Sequence, residues 1–359
     1  MNYIESIDSQ RKETMREVGG EIRKVQITGK SSYIVSLPKK WVKSMNLKAG
    51  SQLVISEQEG SLVITPKELL KPAKLSEATI EISQKVAPES MIRKVIALYL
   101  VGFSSIRIRD TSERINSVQR NLVRDLVRRK LVGAEIISDS ENEIVLQILV
   151  SYSELPVESA LRRMCIIADS MHDDALRALK ELDKKLAQDV IALDDEVDRF
   201  SFYVIRQLKF AAQNGRILKE IGLSNPRDCL GYRVIVKFAE RIADHAVKIA
   251  ENVISMNEKV DDAIFIRMSE MSLFARSAFN DSVKSLYKRD YLLADDVISK
   301  TRTISHLEIE VMKAIYKTAD IAKISNLRMI VESIRRTAEY ASDIAEVVLN
   351  MNVNQVISY

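Results

Sequence analysis

The sequence predicts a mainly α protein with an α+β N-terminal part. It should comprise a β-β-α-β-β module, a small α+β middle domain and a six-helix bundle made of two three-helix repeats. Three observations carry that expectation. Ten glycines, six prolines and 6% aromatic residues in 359 favour long helices over an all-β fold built from many turns. Short strand-like segments fill the first part of the chain, and the helical apolar period takes over from Pro156 onward. Two late segments also repeat one another. At 46% hydrophobic and 29% charged, a chain of this length exceeds one ordinary core, which agrees with several domains.

The first module, residues 1–70, reads as strands in IRKVQIT, SYIVSLP, QLVISE and SLVITP, broken at Gly29-Lys30-Ser31-Ser32, LKAG and Gln58-Glu59-Gly60. Between them, Pro38 to Leu47 has proline at a helix start and apolar Trp41, Val42 and Met45, enough for one or two turns. Some 50 residues of this kind hold too little apolar surface to close a core alone, so pairing with a second copy is expected. Residues 75–152 alternate strand (ATIEIS), helix (Pro88 to Val101), strand (SSIRIR), helix (Ser112 to Leu131) and two strands, AEIIS and EIVLQIL, the pattern of a sheet covered by helices. No chemistry is assigned to this middle domain. Its second helix carries Arg114, Arg120, Arg124, Arg128 and Arg129, read as a solvated amphipathic face, with a contact to DNA or a partner as the alternative.

Residues 156–359 are helical almost throughout. Breaks near Leu182-Asp183, Asn214-Gly215, Gly222 to Pro226, Asn257 to Asp261, Arg289-Asp290 and Thr318 to Ser325 mark six helices, with repeat one at 156–259 and repeat two at 260–352. RIADHAVKIAENVISMN (Arg241 to Asn257) and RTAEYASDIAEVVLNMN (Arg336 to Asn352) agree at 9 of 17 positions without a gap, more than a shared helical period readily gives.

Cys165 and Cys229 lie in apolar helical patterns without CxxC spacing and read as reduced, packed thiols. The polar N-terminal segment MNYIESIDSQRKETMREVGG and the lack of any long apolar run predict neither secretion nor membrane insertion, hence a cytoplasmic protein. A net charge of +4 names no partner, but its distribution does. Arg23, Lys24, Lys30, Lys39, Lys40, Lys43 and Lys48 fall in one stretch free of acidic residues, the footprint of phosphate contact. Arg23, Lys24, Lys30, Lys39, Lys40 and Lys43 are the candidate DNA-binding residues.

The order strand, turn, strand ending in proline, short helix, LKAG and closing hairpin resembles the AbrB/SpoVT swapped-hairpin family, and the resemblance implies a DNA-binding dimer. The helical half resembles PhoU, whose hallmark is a pair of E/D-x-x-x-D motifs in each repeat. Here they stand as Asp194-Asp195-Glu196-Val197-Asp198 and Glu240-Arg241-Ile242-Ala243-Asp244. Carboxylates four residues apart share one helix face, and two such pairs on neighbouring helices repel unless a cation lies among them. Oxygen donors suit hard or borderline ions. The resemblance therefore implies a metal (Fe, Zn, Mn or Mg) at Asp194, Asp198, Glu240 and Asp244. The ordinary alternative is surface ion pairing with Arg199 and Arg241. His245, next to Asp244, points off the ligand face, and His172 and His306 lack partners at metal spacing.

No phosphate-binding loop, nucleophile elbow or zinc-protease motif is present, so an enzyme is not expected. The reading is a DNA-binding regulator, and the PhoU resemblance alone implies that it responds to phosphate and regulates phosphate uptake. One competitor is an adaptor without DNA binding that docks a phosphate-transporter ATPase or signalling kinase. The other, a metal-dependent phosphoesterase, lacks a visible general base. The repeats themselves should differ. Arg335 and Glu339 take the places of Glu240 and Asp244. Thr301 and Ser305 take those of Asp194 and Asp198, unless a one-turn shift brings in Glu308 or Glu310.

Overall fold

The structure is a computed structural model. It describes residues 21–29, 32–58, 60–70, 77–110, 114–150, 154–212, 215–317 and 320–357. The N-terminal segment read for targeting and the candidate Lys30 lie outside the described residues. Contacts divide the chain into one unit up to Lys74 and another from Leu75.

The first unit holds two antiparallel hairpins. Strand β1 (Gln26–Thr28) pairs with β2 (Ser32–Ile34), and β3 (Leu53–Gln58) pairs with β4 (Ser61–Pro66) in the register Leu53 to Pro66 through Gln58 to Ser61. That register leaves a two-residue turn whose second residue, Gly60, has φ 76°, a conformation favouring glycine. Helix α1 (Lys39–Ser44) ends where Asn46 turns left-handed at φ 52°. Of the described residues here only Pro66 is buried. Ile27, Tyr33, Ile55 and Leu62 are each more than half exposed, so this unit has no core of its own within one chain.

The second unit begins with a four-stranded sheet in the order β5 (Glu77–Ile82), β6 (Ser105–Asp110), β8 (Glu143–Ile148), β7 (Ala134–Asp139). The β5–β6 pair is parallel and the other two are antiparallel. Helix α2 (Pro88–Val101) makes the parallel crossover. It has proline at its first position, where no amide hydrogen is needed, and Gly102 at φ 113° closes it, with amides 102 and 103 both bonding Leu98 O. Helix α3 spans Ser117–Lys130, later than the expected Ser112, because Asn116 is the cap: its side chain accepts from Gln119 N at 2.8 Å. Ile80, Ile106, Ile108, Ile144 and Leu146 on one sheet face pack with Met91, Val95, Tyr99, Val123 and Leu126 from the two helices.

The bundle follows as α4 (Val157–Glu181), α5 (Lys184–Ala211), the short α6 (Gly215–Glu220), α7 (Asp228–Ser255), α8 (Asp262–Lys288), α9 (Tyr291–Thr301), α10 (Ile304–Ile315) and α11 (Ile321–Asn352). The expected break from Thr318 to Ser325 is shorter, because Asp320 caps α11 by accepting from Ala322 N and Lys323 N. Duplication shows in the turns as well as in the residues. Leu182 (φ 55°) ends α4 and Asp183 caps α5; Arg289 (φ 52°) ends α8 and Asp290 caps α9. The repeats differ in their middle helices. Helix α5 is continuous, whereas its counterpart breaks between Thr301 and Ile304 into α9 and α10, so one expected helix is two.

Helices α7 and α11, which carry the two similar segments, pack on each other, with Phe238 stacked on Tyr340 at 5.8 Å between ring centroids. The repeats are also tied through Arg276 on α8, whose guanidinium holds both oxygens of Asp169 on α4 at 2.9 Å and also bonds Asp173. Both cysteines are buried and free.

The middle domain is seated on the bundle rather than strung beside it. Arg206 of α5, only 2% exposed, donates to the carbonyls of Tyr99 and Gly102 (3.1 Å to Gly102) at the C-terminus of α2, where the helix dipole favours a cation. Phe202 of α5 packs into the middle domain's core, and Leu100 and Val150 touch both cores. Among the described residues no helix is long and apolar enough to cross a membrane.

Candidate functional site

Helices α5 and α7 lie side by side and bring the four candidate carboxylates to one patch. Asp194 and Asp198 stand a turn apart on α5, Glu240 and Asp244 a turn apart on α7, and all four are half-buried. Burial, then the charges of Asp198 and Asp244, push the Asp194 carboxyl up to about 6. Asp244 is also raised, first by burial and then by Glu240. Asp194 Oδ1 is buried with no hydrogen-bond partner among the described residues.

What neutralises this patch is lysine. Lys130, the last residue of α3, extends its ammonium to Asp198 Oδ2 at 2.7 Å and Asp195 Oδ1 at 3.1 Å, and Arg129 reaches Asp195 at 3.3 Å. Burial opposes the charge on Lys130, but the hydrogen bond and attraction of Asp198, then of Asp195, outweigh it and hold its pKa above the usual value. On α7, Lys237 bonds Glu240 at 2.6 Å, and Ser201 donates to the other Glu240 oxygen at 3.4 Å. Arg199 forms an ordinary ion pair with Glu196 of the same motif at 3.4 Å, and Arg241 lies over Tyr340, so among the described residues neither arginine is seen bonded to the four candidate carboxylates.

The donor set suits a hard cation in residue type, in its shared face and in the orphaned Asp194 oxygen. In the conformation observed, however, no three His, Cys, Asp or Glu side chains among the described residues come together closely enough to hold a metal ion. His245 is buried against Tyr340, His172 is fully buried, and His306 is exposed.

The second repeat is closed by its own residues. Arg335 bonds Glu339, Glu332 (2.6 Å) and Glu308 (3.4 Å), and Arg336 bonds Glu332 (3.0 Å) and Glu339 (3.1 Å). Glu308, which a one-turn shift of the alignment would bring in, is the acid of this helix that meets Arg335, while Thr301, the unshifted match to Asp194, is buried and bonds Ile298 O at 2.9 Å.

The arginines of α3 do not form one solvated face. Arg120 donates to Ser140 O (2.7 Å) and Glu141 O (3.2 Å) and, with Arg124, pairs with Asp139, pinning the β7–β8 turn, while Arg129 faces the bundle. Sequence reasoning missed Lys130. Its signal was an Arg-Lys pair ending a basic helix in a chain with an acidic i, i+4 set elsewhere. In the first unit Arg23, Lys24, Lys39, Lys40 and Lys43 are all exposed; Arg23 pairs with Glu21, and the three lysines share α1.

Comparison with known proteins bears on both units. The PhoU domain matches residues 161–253 and 268–348, once in each repeat. Antidote-toxin recognition MazE, bacterial antitoxin, matches residues 26–70. A "Phosphate-specific transport system accessory protein PhoU homolog" from Aquifex aeolicus is 31% identical over 150 residues, spanning 40% of this chain and 64% of that one, less than two thirds of its length. A protein of the same description from Borreliella burgdorferi is 24% identical over 203 residues, 52% of this chain and 86% of that one. The crystal structure of PhoU from Pseudomonas aeruginosa superposes with a TM-score of 0.50 at 21% identity, covering 55% of this chain and 96% of that one, a likeness of fold.

Proposed function

We propose, from the premise that the helical half of this chain belongs to the PhoU family and is fused to a MazE/AbrB-like N-terminal module, that the protein is a phosphate-responsive regulator acting on DNA. The observation that carries the reading is the first unit itself. Its hairpins leave their apolar side chains exposed while α1 presents Lys39, Lys40 and Lys43, as a module would that completes its core with a second copy and lays a basic helix on phosphates. In this reading the protein is a homodimer without catalytic activity, and the helical half supplies the response. Asp194, Asp198, Glu240 and Asp244 are its cation site, for Fe, Zn, Mn or Mg, and the bound ion would offset four clustered negative charges.

The printed descriptions of the Aquifex and Borreliella relatives favour a second reading, an accessory protein that docks a transporter ATPase or a signalling protein. Fluorescence anisotropy on duplex DNA separates the two. A regulator on DNA loses affinity steeply with salt, at roughly 0.9 log units per log unit of salt for each phosphate neutralised. A Lys39→Ala/Lys40→Ala/Lys43→Ala variant should bind more weakly and with a shallower slope. Salt-insensitive binding that is equal in both proteins would defeat the DNA reading.

A further inference from the structure

We infer that the end of the bundle where α7 and α9 begin and α8 and α11 finish is a docking surface for an anionic membrane, on whose headgroups the bundle rests without crossing the bilayer. The inference goes beyond the function proposed above and uses none of the residues assigned there.

The fold gathers this surface from distant parts of the chain. Tyr232, near the start of α7, donates to Glu158 Oε1 on α4 at 2.9 Å, and Tyr287, at the end of α8, donates to the Glu158 carbonyl at 3.3 Å. Gln355, just past α11, donates to the Arg289 carbonyl at 2.7 Å, and Met351 lies against Gly231. Helix α9 starts two residues after Arg289.

Two kinds of side chain project from these helix ends. The first is cationic: Arg162, Arg227, Lys288 and Arg289 are all exposed. Arg162 lies over the Tyr287 ring at 3.9 Å instead of on a carboxylate, and among the described residues none of these cations makes an ion pair. Neighbouring acids are engaged inside the fold. The Glu158 carboxylate holds Tyr232, Asp290 caps α9 by accepting from Leu293 N at 3.0 Å, and Asp228 is half-buried. The second kind is apolar. Leu230 and Leu292 are 74% and 75% exposed, and Val356 and Ile357, which follow Gln355, are exposed as well.

Either kind alone is ordinary on a protein surface, but together they select the partner. Nucleic acid phosphates would satisfy the cations and leave both leucines in water. An amphipathic helix of a partner protein would need a groove, whereas these residues stand on separate helix ends. A membrane with negative headgroups attracts each nearby cation and receives apolar side chains at the boundary of its acyl chains. The contact is peripheral: among the described residues no helix is long and apolar enough to cross a membrane.

The test is flotation of full-length protein with vesicles of phosphatidylcholine alone and of phosphatidylcholine and phosphatidylglycerol in equal parts, at low and high salt. Wild type should float with the anionic vesicles and not with the neutral ones, and salt should weaken the binding. Arg227→Gln/Lys288→Gln should lower the affinity by about tenfold or more, and Leu230→Ser/Leu292→Ser should lower it too. All these positions are exposed, so both variants should melt as wild type does. Lys39→Ala/Lys40→Ala/Lys43→Ala should bind the vesicles as wild type does, which separates this surface from the basic helix of the first unit. Vesicle binding that is absent in wild type, that either bundle-end variant retains in full, or that the triple-lysine variant alone loses would overturn the inference. So would bundle-end variants that bind vesicles as wild type does but duplex DNA more weakly, an outcome that assigns the surface to nucleic acid.

Discussion

Replacing Gly102 with alanine should loosen the seat of the middle domain on the bundle. Gly102 ends α2 at φ 113°, where a residue bearing a Cβ is strained by about 1–3 kcal/mol. A Cβ at this position would also fall well inside contact distance of Cδ2 and Cε2 of Phe210 on α5 and 3.3 Å from its Cζ. Forcing an added carbon into packed surroundings costs about 1–3 kcal/mol. Together these give about 2–6 kcal/mol, or roughly a 3–10 °C fall in melting temperature for a unit of this size. Phe210→Ala should relieve the clash but not the backbone strain, so the double variant should recover about 1–3 kcal/mol relative to additivity. Thermal and denaturant melts of the four proteins measure both terms. If Gly102→Ala melts within a degree of wild type, or if the two substitutions simply add, the packing of α2 against α5 described above is wrong.

His172 should make stability fall in acid. Burial, then Arg276, depresses its pKa to about 4, and Asp169, Arg276, His245 and the Thr337 hydroxyl (3.4 Å from Nδ1) surround it. Between about 6.5 and 4 the unfolded chain takes up a proton that the folded one refuses, so stability is full above 6.5 and declines as pH falls, by about 3 kcal/mol in all at 1.36 kcal/mol per unit. His172→Gln should flatten the melting temperature against pH in that window, leaving the share due to His245, also depressed to about 4; an unchanged slope would refute the assignment. The isolated module, residues 1–70, should sediment as a dimer at micromolar concentration and unfold on dilution, because its apolar side chains are exposed in one chain. A folded monomer would contradict that.

Much of this architecture could be read from residues alone where the signal is local or periodic. The sheet and helices of the middle domain, the two repeats and the shared face of Asp194 and Asp198 follow from spacing. So did the suspicion that Arg335 had replaced a carboxylate. What stayed hidden depends on contacts between distant segments. Arg129 reads as solvated and Lys130 goes unremarked because nothing within their own helix announces that α5 lies opposite them with Asp195 and Asp198. Arg206 sits in an apolar stretch of α5, and nothing near it in sequence shows that the end of α2 lies over it. The break after Thr301 was missed because no glycine or proline marks it, and the start of α3 because Asn116 competes with an earlier serine only through its capping bond. The patch could be located from sequence, but not what fills it.

The Arg206 guanidinium also says where this protein can be divided. By sequence the bundle starts near residue 156, and an experimenter wanting the helical half would cut there. That cut would strip Arg206 of both its carbonyl partners, bare Phe202 and Phe210 to water, and leave the Tyr99 and Gly102 carbonyls at the end of α2 without their guanidinium. Neither fragment would be a faithful copy of its part in the whole, and low solubility or weakened cation binding in a bundle-only fragment would reflect the cut rather than the site. The workable division is at about residue 75, where the contacts of the first unit end and those of the second begin.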